Sequence, residues 1–424
     1  MTAAVAAARR GCRVTLLERW PTVGGMATNG LVNAWHRSDR EKVVINGLVE
    51  EAAERAARHG WIRRDRNFPH AHETHWFDPE GMRLVWQRLL DDAGVTTVCH
   101  LAAGEPLVTD RRLVGVLCDT AQGRRALLAD IVIDATGDGT VAAKAGVPWQ
   151  MGRADDGRVQ GMTLTFSLRG IDEDAVARVP HEKVHQVIDA MAEQARDGRL
   201  PPFNDGNMRG SFTYWGAPNH MIWNVCPVAG NPLDELELSR LNARAHEYVV
   251  QYLDFLRTHM PGMAHAEINQ TAFALGVRES RRIEAGTQLT ANMVLGAAKS
   301  AEAVGHGVWM VDIHDPEGSG HTTFSDPGEH HRLRLGTSYH IPLGMCLHPD
   351  WPNLGVVGRC AWSTHQAHAS VRVQTHCMVM GQGVGTAAAM ALAGGVPMRA
   401  VQLPLLQQEL RRDGVYLEDV PKPA

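Results

Sequence analysis

The sequence has no C-x-x-C pair. Its seven cysteines, Cys12, Cys99, Cys118, Cys226, Cys346, Cys360 and Cys377, are scattered and odd in number, which argues against a disulfide framework or structural zinc and for a reducing, cytoplasmic setting. Long apolar runs are missing too. The longest small-apolar stretch, Gly385 to Val396, falls well short of the roughly 18 to 20 residues that span a bilayer, so no membrane partner is expected. Arg9 and Arg10 follow the opening alanine run instead of preceding it, which does not suit a secretory signal peptide. Positive charge is not in excess: 42 Lys and Arg stand against 47 Asp and Glu, a net charge of -5, which offers no basic field to nucleic acid. Low-complexity tracts and clear internal repeats are absent. What is there is an ordinary globular composition, 424 residues with 44% hydrophobic and 21% charged, long enough for two or more lobes. A small molecule is the default partner, and self-association is left open.

The most specific wording stands at the start. Thr2 to Gly11 is a helix of small residues, Arg13 to Glu18 a strand, and Gly24-Gly25 follows. In a Rossmann unit a glycine-rich turn precedes such a helix, and an acid about 20 residues after the turn holds the adenosine ribose. Glu18 has that spacing. Counted back from it, the last glycine of the turn falls at or just before Met1, so the expectation is a dinucleotide unit lacking its first strand and phosphate loop. Gly24-Gly25 offers close backbone approach to a ligand.

Ile45 to His59 and Asp78 to Asp92 read as helices, the second with Pro79 at its start and Gly94 after its end. Between them, His70, His72 and His75 read as a polar loop and not as a metal site, since no H-E-x-x-H context surrounds them; no metal is expected. Val95 to Val132 alternates like a β-meander, with turns at Thr109-Asp110-Arg111 and Ala121-Gln122-Gly123. It leads into the apolar strand Ile131-Val132-Ile133 and the turn Asp134-Ala135-Thr136-Gly137-Asp138-Gly139 before a helix at Thr140 to Ala145, the pattern of a ligand edge on a parallel sheet.

From Trp149 to about Pro349 tryptophan, proline and loops increase, with helical patterns at Leu233 to Thr258 and Ser280 to Leu295. This reads as a substrate or cap lobe. The charges of Gly276 to Ile283 read as a helix start, solvated or functional. The apolar strand at 353–358, ending in Gly358-Arg359, and the helix Thr375 to Ala393, with Thr375 as candidate N-cap, return to the first domain. The domain expectation is therefore 1–148 for the nucleotide domain, 149–349 for the cap lobe, 350–415 for the return and 416–424 for a tail.

Together, Ala3 to Glu18 with Gly24-Gly25-Met26-Ala27-Thr28, Asp134 to Gly139, Arg278-Glu279-Ser280-Arg281-Arg282, and Gly358-Arg359 through Arg372 to Gly385-Thr386-Ala387 resemble the FAD-dependent oxidoreductases of the two-dinucleotide-binding-domain flavoproteins. The resemblance implies an α/β fold with a Rossmann-like FAD-binding domain. It implies that Glu18, followed by Arg19, binds the adenosine ribose, and that Gly24, Gly25 and Met26 lie along the FAD. Thr136, Gly137 and Asp138 would sit beside the dinucleotide, and Gly358-Arg359 would contact its pyrophosphate or ribityl chain. The helix carrying Gly381 and Gly385 would point at the flavin pyrimidine ring, where a positive helix end favours the charge that develops on reduction. The sequence departs from the family at the missing phosphate loop, at Thr375-His376 where proline and threonine are common, and at His368-Ala369-Ser370 where His-Gly-Ser is common.

The reaction so implied is hydride transfer from a small organic substrate to flavin, with a protein base for the accompanying proton. His368 and His365 are the candidate bases, and Arg372 a candidate holder of an anionic substrate or of the reduced flavin. A flavin-free binding or scaffold protein and an NAD-linked dehydrogenase are the alternatives.

Overall fold

The computed structural model describes residues 1–65, 74–203, 219–320 and 330–421. His70 and His72 lie outside these residues; His75 is a buried residue of the strand Thr74–Phe77.

Small residues set the centre of the molecule. The helix Gln374–Gly394 is buried on nearly every face, which its glycines and alanines permit. A Cβ at Gly381 would overlap the side chain of Thr2, and one at Gly385 would overlap the backbone of Ala3. A Cβ at Gly383 would stand 2.5 Å from Val304 Cβ. The opening helix Thr2–Ala8 therefore lies in direct backbone contact with the late helix. An apolar all-round helix is a core helix by this construction. Among the described helices it is the one long and apolar enough to cross a membrane, with mean hydropathy 1.3 and 72% of the window buried; the sequence reading confined that run to Gly385–Val396.

Beside this pair stand two parallel strand pairs. Thr15–Leu17 runs with Thr96–Val98, Thr15 opposite Thr96. Val132–Asp134 runs with Leu354–Val356, Leu354 opposite Val132. The late strand thus pairs with an earlier strand, about 220 positions back. The expected meander is Pro106–Thr109, Arg112–Thr120 and Gly123–Leu128, all antiparallel. Its first turn places Asp110 and Arg111 at φ 48° and 57°, the left-handed pair of a tight hairpin.

The cap is built on Met162–Arg169, which lies between His220–Val228 and Glu267–Thr271. The helix Glu235–His259, capped by Asp234 accepting from Glu237 N at 2.9 Å, packs on it. Its core is built from residues between Met162 and Leu275, joined by Leu31 from the first part of the chain. Residues 289–347, placed in the cap lobe on composition, instead contribute Leu289, Val304, Tyr339 and Ile341 to the core that holds the first helix. Tryptophan and proline content tracked the loops there, not the side on which the apolar residues pack.

Two further expectations are corrected. Ser280 to Leu295 is not one helix: Arg281–Ile283 is a strand paired with Trp149–Met151, and only Ala291–Leu295 is helical. Arg282 is buried and bonded to distant backbone, so the charges there serve tertiary partners and not a helix surface. Thr375 is not an N-cap. It lies inside the first turn, after Val373, and its hydroxyl donates to His36 O at 2.7 Å.

Candidate active site

The turn after Val132–Asp134 is shaped by one buried acid. Asp134 Oδ1 accepts from Thr136 N at 3.0 Å and Thr136 Oγ1 at 2.8 Å, and Oδ2 accepts from Ala142 N at 2.9 Å. This ties the strand end to the start of the helix Thr140–Lys144 and leaves Gly137 and Gly139 at φ 79° and 60°, a backbone that glycine adopts at little cost.

Asp138 projects from this turn into a network of three partners. Arg359 Nη2 donates to its Oδ1 at 2.6 Å, Ser280 Oγ donates to the same oxygen at 2.7 Å, and Arg19 Nη1 stands 3.7 Å from Oδ2. Arg359 also donates to Ser280 Oγ at 2.8 Å. Burial alone pushes the Asp138 carboxyl up, but Arg359 and Ser280 outweigh it and hold the group below the usual carboxylate range. Four stretches that are far apart in sequence meet on this one side chain.

Glu18 closes the strand Thr15–Leu17, and its Oε1 accepts from Trp20 N at 3.0 Å. Burial raises its pKa, with the Trp20 N–H and Arg19 offsetting part of the rise. Gly24, at φ 114°, opens a short turn over Gly25–Ala27, braced by Thr28 Oγ1 donating to Val23 O at 2.8 Å. Met26 packs its sulfur against Gly30 and near Gly276. At Gly25 (φ 56°) and Gly358 (φ 90°) a Cβ would meet no atom within 4 Å. Both positions are therefore open, as a close approach to a ligand requires. Gly381 and Gly385, carried as cofactor-side positions, are instead occupied by the opening helix, for the packing reason given above.

A second cluster lies on and beside the short helix His365–Val371, which Thr364 caps by accepting from Ala367 N at 3.3 Å. His368 is fully buried. Its Nε2 donates to Arg359 O at 2.9 Å, and its Nδ1, left as an acceptor, takes a bond from Gln160 Nε2 at 3.2 Å. Both ring nitrogens are used, and burial pushes the pKa down to about 3. The role of base expected for His368 is therefore corrected: its ring is a neutral strut.

His365 is arranged differently. Its Nδ1 faces the buried carboxylate of Glu279, 3.0 Å from Oε1 and 2.8 Å from Oε2. A carboxylate only accepts, so Nδ1 carries a proton, and in the neutral ring Nε2 is the acceptor. Glu279 also pairs with Arg282 and accepts from Gln160 N at 3.1 Å. Burial raises its pKa, and His365, His368 and Arg282 outweigh that and hold it ionised.

Arg372 ends this helix. Its Nη2 donates to Asp312 O at 3.1 Å and stands 3.8 Å from Asp312 Oδ2, while its Nε is buried without a partner. His314 Nε2 lies 3.4 Å from Asp312 Oδ2. Burial, with Arg278 next, pushes His314 down to about 4, so it is neutral near pH 7. Burial raises Asp312, but His314 and Arg372 hold it far below the usual carboxylate range. Sequence reasoning did not single out Gln160, Asp312 or His314. It named Glu279 and Ser280 within the Arg278–Arg282 resemblance, without roles. The spacing Asp312-x-His314 was the available signal for the last pair. Among the described residues no group of three or more His, Cys, Asp or Glu is arranged to hold a metal ion.

No curated protein matches the chain. Among solved structures it is similar to the myxobacterial chondrochloren halogenase CndH, with 13% identity and TM-score 0.47, covering 97% of this chain and 76% of that one. It is similar to BexE, described for oxidation during BE-7585A biosynthesis, with 12% identity and TM-score 0.45, covering 98% of this chain but only 64% of BexE. It is also similar to a geranylgeranyl bacteriochlorophyll reductase-like protein of Thermoplasma acidophilum, with 11% identity and TM-score 0.43, covering 97% and 79%. The family described as FAD dependent oxidoreductase matches residues 1–410, nearly the whole of the sequence. The chain belongs to the FAD-dependent oxidoreductase family, and its cofactor is FAD.

Proposed function

We propose that the protein oxidises a small organic substrate by hydride transfer to FAD, with His365 as the proton acceptor. The observation that carries this reading is the Glu279–His365 pair, a buried carboxylate that fixes the imidazole with Nε2 as an acceptor. Glu18, Gly24, Gly25, Asp138, Gly358 and Arg359 would hold the cofactor. Bound flavin supplies the two-electron acceptor. His365 Nε2 takes the proton that leaves the substrate O–H or N–H, and Glu279 stabilises the imidazolium that results. His368 ties the helix to Arg359 O, and Arg359 in turn bonds Asp138, which links the base to the Asp138 network. Arg372, at the end of the same helix, faces the substrate side. The free state of all seven cysteines supports a cytoplasmic setting.

The test is single-turnover flavin reduction with His365→Ala. The expected result is FAD binding retained, by absorbance, with reduction slowed by about 100-fold or more. Unchanged reduction would remove His365 from the role.

A further inference from the structure

Two arginines stand near each other beside the histidine cluster, and their charge is not balanced. Arg278 is buried and anchored by Nη1 donating to Gly161 O at 2.7 Å and Thr163 Oγ1 at 2.6 Å, both neutral acceptors. It makes no ion pair among the described residues. Burial, with Arg372 next, pushes its pKa down to about 9, which leaves it charged at neutral pH. Arg372 shares Asp312 with His314, which is neutral. The nearby acid Glu279 is taken up by Arg282, His365 and Gln160 N. Two cations thus face one free carboxylate, an excess of one positive charge in a place shielded from water.

Two orphaned atoms point the same way. Arg372 Nε is a buried donor without an acceptor, and Asp312 Oδ1 is a buried acceptor without a donor. A buried group left unpaired is costly, more so when charged, and a ligand that supplies both partners removes that cost. Asp312 and Arg372 keep 12% of their side-chain surface exposed, and His314 keeps 11%, so the cluster is not wholly sealed core.

We infer that this cluster is the substrate-binding end of the site, and that the substrate is a carboxylate with a neighbouring hydroxyl or amino group. The carboxylate lies between Arg278 and Arg372, and the hydroxyl or amino hydrogen is donated to Asp312 Oδ1. Guanidinium is the side chain suited to a planar carboxylate. The inference rests on the proposed oxidation of a small organic substrate by FAD, because a carbon that bears a hydroxyl or amino group is the kind of centre that gives up a hydride.

The probes are glycolate, acetate and glycolamide, bound to the FAD-loaded protein and followed by ligand-observed NMR. Glycolate carries both features, acetate lacks the hydroxyl and glycolamide lacks the charge. The expected order is glycolate, then acetate several-fold weaker, then glycolamide at least tenfold weaker than glycolate. Arg372→Met is expected to weaken glycolate and acetate alike by at least tenfold. Asp312→Asn is expected to abolish the preference for glycolate over acetate without weakening acetate, and it carries the test by itself should Arg372→Met fail to fold. Equal binding of all three probes overturns the inference, as does an Arg372→Met protein that keeps glycolate but releases FAD, since the arginines would then serve the cofactor. Probe binding does not depend on turnover: retained selectivity in a protein whose flavin reduction ignores His365→Ala would refute the proton-acceptor reading alone.

Discussion

The two regions that meet at Arg359 use charge in opposite ways. In the Asp138 network, proposed above to hold the cofactor, the carboxylate takes hydrogen bonds from Arg359 and Ser280, is held ionised and lies in reach of the exposed Arg19. In the histidine cluster, imidazoles are forced neutral by burial and the carboxylates are fixed by arginines. Arg359 belongs to both, its guanidinium on Asp138 and its carbonyl oxygen on His368. The first region is a scaffold that remains charged whatever binds; the second keeps proton-accepting capacity in reserve. The lesson is that a histidine near a cofactor is judged by its free nitrogen. His365 and His368 are three residues apart on one helix, and His368 has both ring nitrogens engaged.

Substitutions should break this contrast by unequal amounts. The largest effect is expected for Glu279→Ala, which leaves the buried Arg282 charge without its partner. Loss of one member of such a pair costs about 3–5 kcal/mol, measured as a fall in denaturant midpoint at constant slope. Next comes pH. His368 titrates near 3 in the folded protein, against about 6.5 for an unperturbed histidine. A depressed folded pKa means that the unfolded chain takes up the proton first as pH falls. The stability contributed by neutral His368 is thus complete above about pH 6.5 and is lost progressively as pH falls towards 3, with His376 (about 3) and His314 acting in the same direction. Melting temperatures from pH 8 to pH 5 should fall, and His368→Gln should flatten the decline. Asp138→Asn is expected to cost about 1–3 kcal/mol, because it leaves Arg359 facing a neutral amide in a mostly buried setting. Arg19→Ala closes the series. With half its side chain exposed and 3.7 Å from Asp138, it should change stability by about 0.5 kcal/mol or less.

The turns that carry the Asp138 network were legible in the sequence because their signals are local. A strand followed by Glu18, a strand followed by Thr136-Gly137-Asp138, and Gly358-Arg359 after the last strand each announce a turn by the residues that form it. The histidine cluster was legible only in part. His365 and Arg372 stood out by type, but their partners Glu279 and Asp312 come from segments about 86 and 60 positions away, and no periodicity records such a meeting. Gly381 and Gly385 misled for a related reason. Small residues announce a close approach without saying to what, and here the neighbour is the backbone of the first helix. The expected helix at Ser280 to Leu295 failed because Arg282 and Ile283 satisfy tertiary neighbours in an extended strand.

The contrast between the two histidines can be measured without knowing the substrate, by nitrogen-15 NMR of the imidazole rings in the FAD-loaded protein from pH 8 to pH 5. The expected result is His365 with a proton on Nδ1 throughout, and His368 locked throughout with its proton on Nε2 alone. A His368 ring that titrates within this range, or a neutral His365 with its proton on Nε2, would contradict the assignment.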